Sequence, residues 1–185
     1  MSNFEKSLHD CQAVIGSLSG EAASLRAAAD RCLSALSLGG KLMVCGNGGS
    51  AAEAMHLTGE LVGRYKESRR PLSAITLGTD PAVLTCIGND FSFQDVFSRQ
   101  VRAIGRSGDV LIAFSTSGRS SDILAALETA REMDISTVCF LGRDGCPALA
   151  LSDYSLLVRH NETARIQEGH QFLMHCLMDI IEEGI

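Results

Sequence analysis

The sequence predicts an α/β fold, a doubly wound five-stranded parallel sheet flanked by helices, preceded by an N-terminal helical arm. Three observations carry this reading. Five short apolar runs are each separated by helix-length segments, which implies parallel strands with helices on both faces. Right-handed crossovers then restrict the topology to a doubly wound sandwich. The first forty residues contain no such run and read as two helices.

The elements follow in order. Residues 4–18 form a first helix. Residues 21–36, rich in Ala and Leu, form a second, and Gly39-Gly40 breaks it. KLMVC (41–45) is a short apolar strand, and residues 50–65 form the helix after it. SAITL (73–77) is the next strand, followed by helical segments at 81–87 and 93–104. DVLIAFS (109–115) is the strongest strand signal, leading to a helix over 120–133. STVCFL (136–141) and YSLLV (154–158) complete the sheet, and a long helix over 163–183 closes the chain. The expected organisation is one domain over 1–185, with helices in 1–38 and the α/β core with its C-terminal helix in 39–185.

Composition narrows the function. Of the 185 residues, 45% are hydrophobic, and the formal net charge is −6. Such acidity argues against general binding to nucleic acid or to an anionic membrane. No apolar run approaches the ~20 residues of a membrane span, and the N-terminus MSNFEKSLHD has no signal-peptide pattern. There is no tryptophan and aromatic residues are 5%, which argues against stacking platforms for bases. The seven cysteines form no C-x-x-C pair and read as reduced, buried thiols of a cytoplasmic protein.

In open parallel sheets, ligands bind beyond the carboxyl ends of the strands. Two strand-to-helix loops there are built for phosphate. GNGGS (46–50) offers glycines that let the backbone approach an anion, followed by a helix N-terminus. STSGRS (115–120) supplies four hydroxyls, a glycine and Arg119. Ser120 also suits an N-cap, whereas Ser115, Thr116 and Ser117 are poor core material at the end of a buried strand. GNGGSA fits G-x-G-x-x-A, but the first acid after the next strand is Asp80, too far along for a ribose-binding residue. A phosphomonoester suits two such loops better than a nucleotide.

His56 and Glu60 share one helical face at i, i+4. Spacing alone leaves three readings open: metal ligands, an acid–base pair, or a surface hydrogen bond. Their place on the helix opened by GNGGS favours function. From Ser50 they lie roughly 9 and 15 Å along that helix, the first within reach of a small phosphorylated sugar. The last helix carries Gln167, Glu168, His170 and His175 in a stretch expected to bury Phe172, Leu173, Cys176 and Leu177. His9 and His160 read as surface residues.

Taken together, GNGGSAAEAMH, GRYKESRRP, IGNDFSFQDVFSRQV, GDVLIAFSTSG and ARIQEGH resemble the phosphoheptose isomerases of the sugar-isomerase (SIS) fold, a flavodoxin-like arrangement. The match spans about residues 40–180, in order and with matching spacing. The resemblance implies an enzyme converting sedoheptulose 7-phosphate to D-glycero-D-manno-heptose 7-phosphate through an enediolate, toward the heptose of bacterial lipopolysaccharide or related glycans. It implies a homotetramer with active sites between subunits and one zinc per subunit. The matching zinc positions are His56, Glu60, Gln167 and His175, with Glu60 and His175 as the catalytic base and acid. The matching substrate positions are Asn47, Gly48, Gly49, Ser50, Asn89, Asp90, Ser115, Thr116, Ser117, Ser120 and Gln167. Ala164 stands where some members have an aspartate near the site. The alternative is a non-catalytic SIS adaptor that binds the bacterial replication initiator, since fold does not fix function.

Gln167 and His175 are eight residues apart, roughly 12 Å along a straight helix, whereas ligands of one zinc lie within about 2.0–2.2 Å of it. Either the helix is irregular near Gly169 or two subunits contribute, and a site at a subunit interface is the expectation.

Overall fold

The computed structural model describes residues 2–145 and 147–185, so Cys146 lies outside the described residues. The first helix, α1 (Asn3–Ser17), opens on a capping box: the Ser2 hydroxyl accepts from the Glu5 amide while the Glu5 carboxylate accepts from the Ser2 amide. A 3₁₀ turn over Leu18–Glu21 leads into α2 (Ala22–Ser37). Val14, Leu18, Leu25, Ala28 and Cys32 from this arm are buried in one core with Leu173, Leu177 and Ile181 of the last helix, which spans Thr163–Glu183.

The five strands are β1 (Leu42–Gly46), β2 (Ala74–Thr76), β3 (Val110–Ser115), β4 (Ser136–Gly142) and β5 (Tyr154–Val158). They lie in the order β2-β1-β3-β4-β5, and every neighbouring pair is parallel. The side-chain period of two sorts the apolar runs cleanly. Leu42, Val44, Val110, Ile112, Phe114, Val138 and Phe140 face one way, into the core with the arm and the last helix. Met43, Cys45, Leu111, Ala113, Cys139 and Leu141 face the other. Both faces are therefore dry, which is why the strands read as unbroken apolar runs. The Phe114 and Phe140 rings stack at 4.4 Å between centroids. Burying each contributes about 2 kcal/mol.

The connecting helices are α3 (Gly49–Val62), α4 (Pro81–Asp90), α5 (Ser98–Ile104), α6 (Ser121–Glu132) and the single turn α7 (Ala148–Leu151), with α8 being Thr163–Glu183. The segment 93–104 divides into a 3₁₀ turn (Phe93–Asp95) and α5. The Ser92 hydroxyl accepting from the Gln94 amide opens that 3₁₀ turn. The one-turn α7 was not expected from the sequence; it is too short to display a period. At the amino ends of the strands, Asp109 accepts from the backbone amides of Lys41 and Arg106 and pairs with the Lys41 ammonium. Burial alone would raise its pKa, but the Lys41 hydrogen bonds and the Arg106 amide outweigh it and hold the carboxyl below its ordinary value.

Two sequence expectations are corrected on α8: Phe172 is 43% exposed and Cys176 is half-buried, where both were expected in the core. His170 is fully buried against Phe114 and Phe140. The helix is α-helical throughout, with no irregularity at Gly169; a Cβ there would stand 2.8 Å from Val158 Cγ1, so glycine is what lets α8 lie on β5. Of the described cysteines, Cys32, Cys45 and Cys139 are buried as expected, whereas Cys86 is exposed. His9 is exposed, and half-buried His160 accepts from the Glu162 amide through Nδ1. Among the described residues, no helix is long and apolar enough to cross a membrane.

Candidate active site

β1 delivers the first loop. A Cβ on Gly46 would come within 2.5 Å of the Ser50 carbonyl oxygen, so the chain can fold back on itself only without a side chain there. Gly48 takes φ +56°, in the left-handed region. Gly49 opens α3, and a Cβ on it would stand 2.4 Å from Gln167 Nε2. The missing side chain thus seats the Gln167 amide from α8 directly against the loop. Ser50 is buried, Asn47 half-buried, and Gly48 and Gly49 exposed.

The second loop follows β3. Ser115 Oγ accepts from the Gly118 amide at 3.1 Å, and Ser117 Oγ accepts from the Arg119 amide at 3.1 Å. These bonds tie two of the predicted phosphate ligands into the turn and leave their hydroxyl protons to donate outward. Gly118 has φ +63°, and a Cβ there would meet the Gly145 carbonyl oxygen at 2.4 Å. Thr116, Ser117 and Ser120 are half-buried. Ser120 stands at the N-cap of α6 without a side-chain capping bond.

Asp122 joins the two loops. Its buried carboxylate accepts from Asn47 Nδ2 at 2.8 Å and from the Ile123 amide at 2.9 Å. It sits in the first turn of α6, where the helix dipole favours a negative charge. Nothing in the local sequence marks Asp122 for this role, because Asn47 lies 75 residues away.

Further along, α3 and α8 share a polar seam. His56 Nε2 lies 3.0 Å from Glu60 Oε1. Gln171 Nε2 lies 2.9 Å from His56 Nδ1 and 3.1 Å from His175 Nε2. An amide nitrogen only donates, so both ring nitrogens it meets are acceptors, and His56 donates its remaining proton to Glu60. The His56 and His175 rings meet edge to face at 5.3 Å, and Tyr65 stacks on His175 at 5.9 Å. Arg69 holds the far end of α3: its guanidinium donates to the Glu60 carbonyl at 2.6 Å and the Leu61 carbonyl at 2.9 Å, and to Glu182 of α8 at 3.2 Å. Between seam and loops, Glu53 and His170 face each other at 3.9 Å in the interior.

His56, Glu60 and His175 are therefore brought together, and Gln167 lies at the loop, two helical turns away. Asn89 and Asp90 are exposed at the end of α4; among the described residues they hydrogen-bond to each other and to Cys86, and to neither loop. Two imidazoles and a carboxylate are donors of the kind zinc takes. As the chain stands they hydrogen-bond through Gln171, and among the described residues no three His, Cys, Asp or Glu form a metal cage. Beside the first loop is a cleft of about 380 Å³, lined by Gly46, Asn47, Gly48, Met55, Leu77 and Phe93 among others, which sequence reading did not anticipate.

Comparison with known proteins bears on this geometry. The SIS domain matches residues 8–142. The phosphoheptose isomerase of Helicobacter hepaticus is 48% identical over 159 residues, covering 86% of this chain and 81% of the relative. The chain belongs to the phosphoheptose isomerase family. The phosphoheptose isomerase of Geotalea daltonii is 44% identical over 183 residues, covering 98% of this chain and 95% of its own. The structure of phosphoheptose isomerase from Neisseria gonorrhoeae superposes with a TM-score of 0.86 at 42% identity, covering 97% of this chain and 95% of that one. The SIS fold and the five-stranded parallel sheet expected from the sequence are those of this family.

Proposed function

We propose that the chain isomerises a seven-carbon sugar phosphate, converting sedoheptulose 7-phosphate to D-glycero-D-manno-heptose 7-phosphate. The single observation that carries this is the seam: a carboxylate, two imidazoles and an amide hydrogen-bonded in a row, the carboxylate and one imidazole on the helix that the phosphate-type loop opens and the other two groups facing them from α8. An adaptor has no use for such a group. The relatives' shared name, phosphoheptose isomerase, supports the same substrate.

The hydroxyls of Ser115, Thr116, Ser117 and Ser120, with Asn47, Gly48, Gly49 and Ser50, hold the phosphate end. Glu60 takes a proton from C1 of the ketose. His175 moves a proton from O1 to O2, and the proton held by Glu60 returns to C2. General acid–base steps of this kind give roughly 10²–10⁴-fold each. Gln167, seated at Gly49, orients the sugar between the two ends. Zinc held by His56, Glu60, Gln167 and His175 would polarise the carbonyl as a Lewis acid. Chelation followed by metal add-back tests that assignment: unchanged turnover in verified metal-free enzyme rejects it.

The functional unit is a homotetramer with sites between subunits. Two features support this. Gln167 and His175 lie roughly 12 Å apart on an uninterrupted helix, and Asn89 and Asp90 are exposed, available to complete a neighbour's site. An active monomer in solution would overturn it. The enzyme works in the cytoplasm, in the supply of heptose for bacterial surface glycans. The deciding assay uses sedoheptulose 7-phosphate. Glu60→Gln is expected to lower turnover at least about a hundredfold while substrate still binds; substantial residual isomerisation excludes Glu60 as the base.

A further inference from the structure

A second cleft lies at the carboxyl ends of β3, β4 and β5. It has a volume of about 520 Å³ and is lined by Arg119, Arg143, Asp144, Arg159, His160 and Asn161. Three guanidiniums and one carboxylate surround it, in a chain whose net charge is −6. Arg119 donates to Asp144 at 2.8 Å, while among the described residues neither Arg143 nor Arg159 forms an ion pair. Gathering three arginines on an acidic protein costs mutual repulsion, and an anion between them relieves it.

Local backbone holds these groups in place. Arg143 sits at φ +59°, a conformation that non-glycine residues rarely take, and its amide donates to the Val158 carbonyl across the ends of β4 and β5. Strain of this kind tends to gather at functional positions. His160 accepts from the Glu162 amide through Nδ1, which puts its proton on Nε2 as a further donor. The cleft is also at the strand ends where open α/β sheets take ligands.

We infer that this cleft is an anion subsite that shares only Arg119 with the hydroxyl loop and uses none of its hydroxyls, and that it takes a small compound with adjacent phosphate charges, such as the diphosphate group of a nucleotide. The planar fork of arginine pairs two-to-two with phosphate oxygens, and several guanidiniums around one cleft suit a diphosphate better than a single phosphate. The inference does not rest on the isomerase reading, because its test needs no turnover.

The test is calorimetric titration of the full chain with inorganic pyrophosphate, and separately with inorganic phosphate. Wild type is expected to bind pyrophosphate saturably at one per subunit, at least about tenfold more tightly than phosphate. The double variant Arg143→Asn, Arg159→Gln is expected to weaken pyrophosphate at least about tenfold. Asparagine is chosen because it tolerates the left-handed conformation, and an unchanged circular dichroism melt confirms folding. Ser50→Ala, in the first loop and with no bond to the arginines of the cleft, is expected to change pyrophosphate affinity by no more than about twofold. The inference is overturned by absence of saturable binding, by equal affinity for the two anions, by wild-type affinity in a folded double variant, or by Ser50→Ala weakening binding as much as the arginine changes do.

Discussion

Both ring nitrogens of His56 are engaged, Nε2 by Glu60 and Nδ1 by Gln171, and Gln171 also holds His175 Nε2. Any metal that takes these imidazoles must displace hydrogen bonds, each worth about 0.5–1.5 kcal/mol net. Losing the two bonds from Gln171 corresponds to roughly tenfold in affinity. Gln171→Leu is accordingly expected to tighten zinc binding about tenfold, measured by competition with a chromogenic chelator; weaker binding would make Gln171 a supporter of the metal rather than its competitor. The glycines, the hydroxyls and the His56–Glu60 pair were legible in the sequence because each lies within a few residues of a strand-to-helix junction. Gln171, Asp122 and Arg69 were not. Each has a partner far off in the chain: His56 is 115 residues from Gln171, Asn47 is 75 from Asp122, and Glu182 is 113 from Arg69; the nearer bond of Gln171 to His175, four residues on, does not reveal the link to α3. No local spacing announces such pairs.

At the scale of elements, the two glycines flanking the first loop do different work. The Cβ of Gly46→Ala would meet backbone at 2.5 Å, so β1 and α3 must shift apart. That substitution is expected to cost about 1–3 kcal/mol, visible as a lowered urea midpoint. The Cβ of Gly49→Ala would meet only the end of the Gln167 side chain, which can swing away. Stability is then expected to hold to within about 1 kcal/mol, while kcat/KM falls about tenfold as Gln167 leaves the loop; a stability loss matching that of Gly46→Ala would contradict the distinction. The fold itself was legible at this scale. The strand expected at 154–158 and the helix expected at 163–183 coincide with β5 and α8, and the other strands agree to within a residue or so. The helix expected to reach 65 stops at Val62 because Gly63 follows and Arg69 takes its last carbonyls. That arginine is close in sequence, but nothing in its neighbourhood signals that it turns back.

For the whole molecule, Asp109 links the amino ends of β1 and β3 through two backbone amides and the Lys41 ammonium. Its folded pKa lies below the unfolded value near 3.9. The stabilisation is therefore present above about pH 4 and is lost as pH falls through the lowered folded value. Asp109→Asn is expected to destabilise the chain by about 1–3 kcal/mol at neutral pH, with the gap from wild type narrowing below about pH 4. A gap independent of pH in denaturant titrations would show that charge is not its source. The thiols show the same partition between interior and surface. Burial pushes Cys32 and Cys139 up to about 12 and Cys45 well above the ordinary thiol range, which keeps them from attacking electrophiles at neutral pH. Cys86, exposed on α4 three residues before Asn89, is open to a maleimide dye. A fluorophore attached there would sit beside the two residues proposed to reach a neighbouring subunit, and its emission would brighten, quench or stay constant with dilution according to whether that neighbour is present.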